Sequence, residues 1–249
     1  MSLLRRRARL PVRAALLAAG LGMGAPALAQ TPTIHYQERV PYSSTQANGT
    51  VAGLTAKPAA LALQRAGLSA TWARTPSQRQ LALIQEGEGL HCGLGWFLNA
   101  ERMALGRFSK ALYRDRPFGA LVRNDSSLRS GISGEEAMAA RTEVLLVKEG
   151  YSYGARLDRL IAQRVPAPAG TSVDTTQMAR MLMAGRASWM IVGAEEAEAL
   201  RLEPGIAAAL RVVTFADMPA GETRHLYCNH AVPEAWLARF DQALPAPVR

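Results

Sequence analysis

The segment Gly93–Asn124 reads GLGWFLNAERMALGRFSKALYRDRPFGALVRN and says more about the fold than any other part of the chain. It begins inside an apolar run, Cys92–Phe97, whose length and composition predict a β-strand. Arg102 follows, and seven residues later Ser109 completes a Phe-Ser pair. A second apolar run, Leu112–Val122, predicts another extended segment. The segment therefore predicts two extended runs joined by a connection in which an arginine lies at a fixed distance from a Phe-Ser pair.

Outside this segment, short apolar runs alternate with Ala-rich amphipathic ones, which is the pattern of βαβ units and of a mostly parallel sheet. The predicted fold class is therefore α/β. Further strands are predicted at Ile34–Glu38, Leu68–Ala73, Thr142–Lys148, Ser188–Val192 and Arg211–Phe215. Helices are predicted at Ala56–Arg65, which Gly67 ends, and at Ser77–Gln85, Ala155–Gln163, Thr175–Ala184 and Ala194–Leu202.

The first 29 residues have the features of a secretory signal peptide. Five arginines are followed by an apolar run, Ala14–Met23, and by an Ala-Leu-Ala site at residues 27–29, so the mature chain is expected to begin at Gln30. The apolar run is too short to span a bilayer, which needs about 20 apolar residues. We therefore expect a periplasmic protein that does not insert into the membrane after cleavage.

The charge of the chain argues against a nucleic-acid partner. The formal net charge is +9, and it falls to about +4 once the five arginines of the leader are removed. The remaining basic residues are scattered singly, and they are not interleaved with aromatic residues along a groove-like segment. A solvated surface is the simpler interpretation.

The chain has two cysteines, Cys92 and Cys228. An oxidising compartment favours a disulfide between them, whereas two buried thiols used as small apolar side chains are the alternative. His225 and His230 flank Cys228, which raises the question of a zinc site. On an extended strand, however, His225 points away from the other two side chains and no fourth ligand lies nearby, so no metal is expected.

The spacing from Arg102 to Ser109 resembles the ligand-arginine and hinge region of the bacterial extracellular solute-binding proteins of family 3, the amino-acid-binding type of periplasmic receptor. Three other features fit the same family: Pro41-Tyr42 after the first strand, the loop Gly150–Gly154, and Gly185-Arg186 before a strand. The resemblance covers most of the mature chain. Its most specific part is the segment around Arg102.

The resemblance implies the type II two-lobed fold, in which each lobe is a mostly parallel sheet flanked by helices and two hinge strands join the lobes. Residues 1–29 are then the leader, residues 30–111 and 227–249 form lobe one, and residues 112–226 form lobe two. The chain is expected to return to lobe one along His225–His230 and to continue into the helix Pro233–Ala243. In such a lobe the return strand lies beside the strand of Cys92, so the resemblance favours a Cys92–Cys228 disulfide.

The resemblance also implies a ligand site between the lobes. Arg102 would bind a carboxylate with its planar fork of donors. The other residues expected at the site are Asn99, Gly95, Phe97, Tyr42, Tyr151, Ser152 and Tyr153. From the residues alone, Arg102 could equally be a surface arginine paired with Glu101, and Gly150–Gly154 could be an ordinary turn before a helix.

Two departures from the family pattern argue against an ordinary α-amino acid as the ligand. The segment Gly53–Pro58 lacks both aspartates of the family signature, and Gly193 stands where amino-acid binders place the aspartate for the ligand ammonium. A buried ammonium left without a carboxylate is costly. The resemblance thus implies a small carboxylate-bearing solute, amino-acid-like or another organic acid, delivered to an ABC permease of the inner membrane.

Two other functions stay open. One is an accessory or sensor protein that uses the same fold without transport. The other is an enzyme on this fold, such as a cyclohexadienyl dehydratase, with Glu195 or Glu196 as the general acid. No acid lies in a recognisable catalytic motif and no Gly-x-Ser-x-Gly elbow is present, so we expect a binding protein without a cofactor rather than an enzyme.

Overall fold

The structure of the protein is a computed structural model that describes residues 31–246. The predicted signal peptide and the last three residues lie outside the described residues. None of the helices within residues 31–246 has the length and apolar character needed to cross a membrane.

The described residues alternate between strands and helices. In chain order the strands are β1 Thr33–Tyr36, β2 Ser44–Thr45, β3 Val51–Ala52, β4 Thr71–Arg74, β5 His91–Phe97, β6 Arg107–Phe108, β7 Tyr113–Arg114, β8 Phe118–Arg123, β9 Leu145–Lys148, β10 Ala169–Thr171, β11 Trp189–Gly193, β12 Leu210–Thr214 and β13 Thr223–Cys228. The helices are α1 Ala56–Ala66, α2 Ser77–Glu86, α3 Ala100–Leu105, α4 Gly134–Ala139, α5 Ala155–Gln163, α6 Thr175–Met183, α7 Ala194–Leu200, α8 Ile206–Ala209 and α9 Glu234–Ala243.

The strands form two main sheets and a small β2–β3 hairpin. The first sheet has the order β4-β1-β5-β13-β6, with β7 also paired to β13. Strands β4, β1 and β5 are parallel, whereas β13 is antiparallel to β5, β6 and β7. Cys92 and Cys228 lie opposite each other in the β5–β13 register and form a disulfide, as the resemblance implied.

The second sheet has the order β10-β9-β11-β8-β12. Again three strands, β10, β9 and β11, are parallel, and β8 runs antiparallel to β11 and β12. The α/β fold class is confirmed, and the parallel arrangement expected for the sheets holds for three strands of each. The antiparallel strands are β8, where the chain enters the second sheet, and β13, where it returns to the first, because no helical crossover sets their direction.

The helices pack on the sheets through apolar faces, and the buried residues of each face have the spacing of a helix. In α1 the buried residues Ala56, Ala59, Ala62 and Leu63 lie on one face, which packs in one cluster with Leu237 and Phe240 of α9. Gly67 ends α1 in the left-handed conformation with φ 58°, as predicted. The second sheet has a separate apolar cluster on each face, one around Trp189 and the other around Met190.

The predicted strand Leu112–Val122 is two strands that belong to different sheets. Strand β7 pairs with β13 of the first sheet, and β8 lies in the second sheet. Pro117 separates them, and its missing N–H and fixed φ interrupt strand pairing there. The split allows this segment to carry the chain from one sheet to the other.

The two connections between the sheets run side by side. The Asp115 N–H donates to the Glu222 carbonyl at 3.0 Å, and the Leu112 N–H donates to the Arg224 carbonyl at 2.7 Å. The first sheet is thus built from residues between 33 and 114 together with 223–228, and the second from residues 118–214. The lobe boundaries at 111/112 and 226/227 stay a prediction.

Candidate functional site

The polar residues of the candidate site follow the carboxyl ends of parallel strands from both sheets. In such α/β sheets, ligands bind in the crevice outside these strand ends. Strand β1 is followed by Gln37 and Arg39, β5 by Arg102, β9 by Tyr151 and Ser152, and β11 by Glu196. The chain therefore brings side chains from both sheets to one place.

Arg102 lies in α3, a short helix directly after β5. The Asn99 side chain caps this helix by accepting a hydrogen bond from the Arg102 N–H at 2.8 Å. The guanidinium donates to the Phe97 carbonyl at 3.1 Å and to the Gly150 carbonyl at 3.2 Å, and it lies 4.7 Å from the centre of the Trp96 ring. Arg102 is only 8% exposed, which rules out a surface arginine paired with Glu101.

Arg102 is a buried charge without an acidic partner among the described residues. Among residues 31–246, no carboxylate forms a salt bridge with it. Burial lowers the pKa of its guanidinium from the ordinary value. Lys148 at the end of β9 is also buried without a salt bridge to the described residues, and its ammonium donates to Gln37 Oε1 at 3.1 Å. The site therefore has an excess of positive charge.

A cavity of about 30 Å³ lies beside Arg102. Its lining residues are Gln37, Arg39, Leu94, Gly95, Trp96, Phe97, Arg102, Tyr151, Ser152 and Arg224. The Tyr151 hydroxyl is shielded from solvent and has no hydrogen-bond partner among the described residues. A space of this size holds water or a very small group, well below the several hundred Å³ of ordinary small-molecule sites.

The predicted site residues fall into two groups. Gly95, Phe97, Tyr151 and Ser152 line the cavity together with Arg102. The remaining three do not line it. Asn99 caps α3, Tyr42 packs behind the cavity against two arginines, and the Tyr153 side chain lies in the core of the second sheet, where its hydroxyl accepts from the Lys148 N–H at 2.8 Å.

The loop Gly150–Gly154 has an anion partner of its own. Asp158 of α5 accepts from the Ser152 hydroxyl at 2.5 Å and from the Tyr153 N–H at 2.7 Å. These donors at the start of the helix are therefore already used within the chain. The Gly150 carbonyl accepts from Arg102, and Tyr151 and Ser152 line the cavity beside it.

Arg39 and Glu196 form an ion pair between the two sheets. Arg39 Nε donates to Glu196 Oε1 at 2.7 Å and Arg39 Nη2 to Oε2 at 2.6 Å, so the pair is bidentate. Thr175 donates a further hydrogen bond to Oε1 at 2.9 Å. Burial alone would raise the pKa of Glu196, but the Arg39 guanidinium outweighs it and the pKa lies below its usual value. Glu196 is therefore a poor general acid near neutral pH.

A second buried pair joins the connections between the sheets. Arg224 of β13 donates to both carboxylate oxygens of Asp115, at 2.7 and 2.6 Å, and both residues are buried. The Arg224 guanidinium also lies 3.8 Å from the centre of the Tyr42 ring. Burial lowers the pKa of Arg224, but the Asp115 carboxylate more than offsets this, so the group stays firmly charged.

Glu195 accepts hydrogen bonds from Tyr42 and from residues of the first connection between the sheets. Its Oε1 accepts from the Tyr113 hydroxyl at 2.9 Å and from the Arg116 N–H at 2.8 Å, while Oε2 accepts from the Tyr42 hydroxyl at 3.4 Å. Both candidate general acids thus have several partners within the protein. Within residues 31–246, no group of three or more His, Cys, Asp or Glu side chains is placed to hold a metal ion.

Besides the apolar lining residues Leu94 and Trp96, the sequence-based prediction of the site missed four polar residues: Gln37, Arg39, Arg224 and Lys148. Gln37, Arg39 and Lys148 could have been found from the strand prediction, because they lie at or after the carboxyl ends of β1 and β9. Arg224 directly precedes the predicted return segment His225–His230, but no pattern in the sequence links it to Asp115.

Solved structures that resemble this chain include arginine-binding proteins and the substrate binding protein of an amino acid ABC transporter. One is an ancestral arginine-binding protein bound to glutamine, with 15% identity, a TM-score of 0.68, and coverage of 86% of this chain and 89% of that chain. The chain has the type II solute-binding fold. No protein-family model and no curated protein sequence matches it.

Two further structures share the solute-binding fold. The arginine-, lysine-, histidine-binding protein ArtJ of Geobacillus stearothermophilus is 17% identical with a TM-score of 0.70, and the alignment covers 86% of this chain and 87% of that chain. A structure from work on glutathione import through GshT and the cystine ABC importer TcyBC of Streptococcus mutans is 14% identical, with a TM-score of 0.70 and the same coverage. At these identities the likeness establishes the fold.

Proposed function

We propose that this protein is a periplasmic solute-binding protein that holds a small carboxylate-bearing solute between its two sheets, with Arg102 as the anchor for the carboxylate. In this role it delivers the solute to an ABC permease of the inner membrane. The observation that carries the proposal is the buried Arg102 guanidinium, which lines a small cavity and forms no salt bridge with a carboxylate among residues 31–246.

The surroundings of Arg102 suit an anion. Arg39 and Arg224 pair with Glu196 and Asp115, whereas Arg102 and Lys148 form no salt bridge within residues 31–246. A carboxylate at the cavity would pair with the Arg102 fork and could accept from the Tyr151 hydroxyl, which has no other partner among the described residues. Such a ligand would replace the solvation that burial removes from the guanidinium.

Binding of a solute larger than a few atoms requires the sheets to separate. The cavity of about 30 Å³ is far smaller than an amino acid needs. The paired connections near Leu112–Arg116 and Arg224–Tyr227 are the segments about which the two parts can rotate, as in hinge closure. The structure therefore corresponds to the closed form in this proposal.

The test is thermal unfolding of the mature chain from Gln30 against amino acids, dicarboxylates, aromatic acids and short peptides, followed by calorimetry of any hit. A ligand at a hundred times its dissociation constant stabilises by about 2.7 kcal/mol. We expect Arg102→Ala to weaken binding of the hit at least tenfold, and Arg102→Lys to lose the bidentate part of the contact. Arg123→Ala removes a partly exposed arginine of the second sheet, which pairs with Asp125, and serves as the matched control. An unchanged dissociation constant in Arg102→Ala would refute the assignment.

A second candidate is an accessory or sensor protein that uses the closed fold to contact another periplasmic protein. The filling of the cleft by Arg39, Glu196 and Tyr42 favours it, because little space is left for a solute. A flat response across the whole ligand panel would support this candidate over transport.

A further inference from the structure

The Arg39 side chain lies in the cleft in the way a bound ligand would. It follows β1 of the first sheet, and its guanidinium reaches the Glu196 carboxylate in α7, which follows β11 of the second sheet. Two aromatic rings surround the same guanidinium. Its Cζ lies 5.0 Å from the centre of the Tyr42 ring and 4.7 Å from that of Tyr151.

We propose that Glu196, Tyr42 and Tyr151 form a binding site for a guanidinium cation, and that the chain's own Arg39 occupies this site and holds the two sheets together without a solute. The chemistry of the site is specific to this cation. A planar fork satisfies both carboxylate oxygens at once, and a weakly hydrated planar cation suits the faces of aromatic rings.

The surroundings of the Glu196 carboxylate suit a charged hydrogen-bond donor. Glu196 is buried, and Thr175 fixes it with a hydrogen bond from a second helix, α6. Without Arg39, the Glu196 carboxylate would be left buried with only the threonine as a close partner among the described residues. An unpaired buried carboxylate is costly, so an external cation of the same shape should restore the pairing.

Other contacts across the cleft also hold the two sheets together. The Lys148 ammonium donates to Gln37, and the Arg102 guanidinium donates to the Gly150 carbonyl. The Tyr42 hydroxyl fills the space beside Gly193, where an added Cβ would lie 3.0 Å from the hydroxyl oxygen. The space between the sheets is thus taken by groups of the chain itself.

Because Arg39 is attached to the first sheet, its guanidinium is present at a high effective concentration next to Glu196. A free guanidinium compound must compete with it and should bind wild-type protein weakly. The proposal does not depend on whether Arg102 binds a carboxylate, since it concerns a cation paired with Glu196, although the two sites share Tyr151.

The test removes the built-in cation and supplies it from solution. Arg39→Ala deletes the atoms of an ethylguanidinium ion, so ethylguanidinium at low millimolar concentration is the probe. We expect it to bind Arg39→Ala at least tenfold more tightly than wild type in calorimetry and to raise the Tm of the variant. Ethylurea, which has a similar shape without the charge, and ethylammonium, which has the charge without the fork, should not do so.

The double variant Arg39→Ala/Glu196→Gln is the matched control and should lose the gained binding. Equal binding of ethylguanidinium to wild type and Arg39→Ala, or equal effects of ethylurea, would overturn the proposal. If Arg39→Ala does not fold, X-ray scattering of wild type decides. The radius of gyration without any ligand should equal that of the closed structure, and Glu196→Gln should increase it. A larger, open wild type would overturn the proposal even if the carboxylate panel gives a hit.

Discussion

At the scale of single residues, the buried charges give the clearest predictions about the stability of the folded protein. Asp115 is the clearest case, because it and Arg224 are both buried and bound through two hydrogen bonds. We expect Asp115→Asn to lower the free energy of unfolding by about 3–5 kcal/mol, since it leaves a buried guanidinium without its counter-charge. Urea unfolding measures the change. Asp125→Asn, at an exposed pair with Arg123, is the control and should have almost no effect.

His35 gives a second prediction at this scale. Its ring nitrogens contact Thr75 at 2.8 Å and His91 at 3.0 Å, and burial, followed by the charges of His91 and Arg79, lowers the pKa of His35 from 6.5 to about 4. The folded state then binds fewer protons at this residue than the unfolded state. Stability from His35 is complete above pH 6.5 and is lost as the pH falls toward 4, a change of as much as ~3 kcal/mol.

The measurement for His35 is the free energy of unfolding at several values of pH between 4 and 7. The variant His35→Gln should show a smaller slope over this interval than wild type, whereas His230→Gln, at an exposed position, should not change the slope. Equal slopes for wild type and His35→Gln would contradict the assignment of this pH dependence to His35.

At residue scale, part of the candidate site could be predicted from the sequence. Arg102 could be identified because its spacing to the Phe-Ser pair is local, and the glycine-flanked loop around Tyr151 is local as well. The ion pairs could not be identified. Arg39 and Glu196 are 157 positions apart, and Arg224 and Asp115 are 109 positions apart. Local patterns give the period of a helix or strand, but only the packed sheets decide which distant charges meet.

At the scale of elements, the β5–β13 pair joins the parallel strands of the first sheet to the strand on which the chain returns. The Cys92–Cys228 disulfide connects these strands across 136 positions of sequence. In the chain-entropy account, a loop of this length gives about 5 kcal/mol of stability by restricting the unfolded chain. We therefore expect Cys92→Ala/Cys228→Ala to lower the free energy of unfolding by about that amount. A loss below ~1 kcal/mol would contradict the account for this protein.

The periodicity of apolar residues predicted most helices and strands, and the run that was wrongly predicted as one strand contains a proline. The helix Ala155–Gln163 was predicted with the bounds that the structure gives. The run Leu112–Val122 looks like one strand because its apolar residues are nearly continuous, but Pro117 divides it between two sheets. The sequence gives no sign of which neighbour each half will choose, since strand partners are set by long-range contacts.

At the scale of the whole molecule, closure of the two sheets should depend on pH through Glu196. The groups that face its carboxylate are Arg39, Thr175 and, at longer range, Arg224. Because its pKa lies below the usual value, the pair stabilises the closed form at neutral pH and is lost as the pH falls through that lowered pKa. X-ray scattering should show the radius of gyration rise on acidification before unfolding begins.

The variant Glu196→Gln separates this effect from general acid unfolding. It should have a larger radius of gyration than wild type already at neutral pH, and further acidification should change it little until the chain unfolds. A wild type that stays compact until it unfolds would show that other contacts, such as those of Lys148 and Arg102, are sufficient for closure.

The paired connections between the sheets make the second sheet an insertion whose two ends meet. The Asp115 N–H donates to the Glu222 carbonyl, and Gly221 allows the close approach, since an added Cβ there would lie 2.1 Å from the Asp115 oxygen. Residues 116–221 could therefore be excised and replaced by a short turn without removing any strand of the first sheet or either cysteine. In genetic terms, the second sheet is a cassette that can be exchanged as a unit.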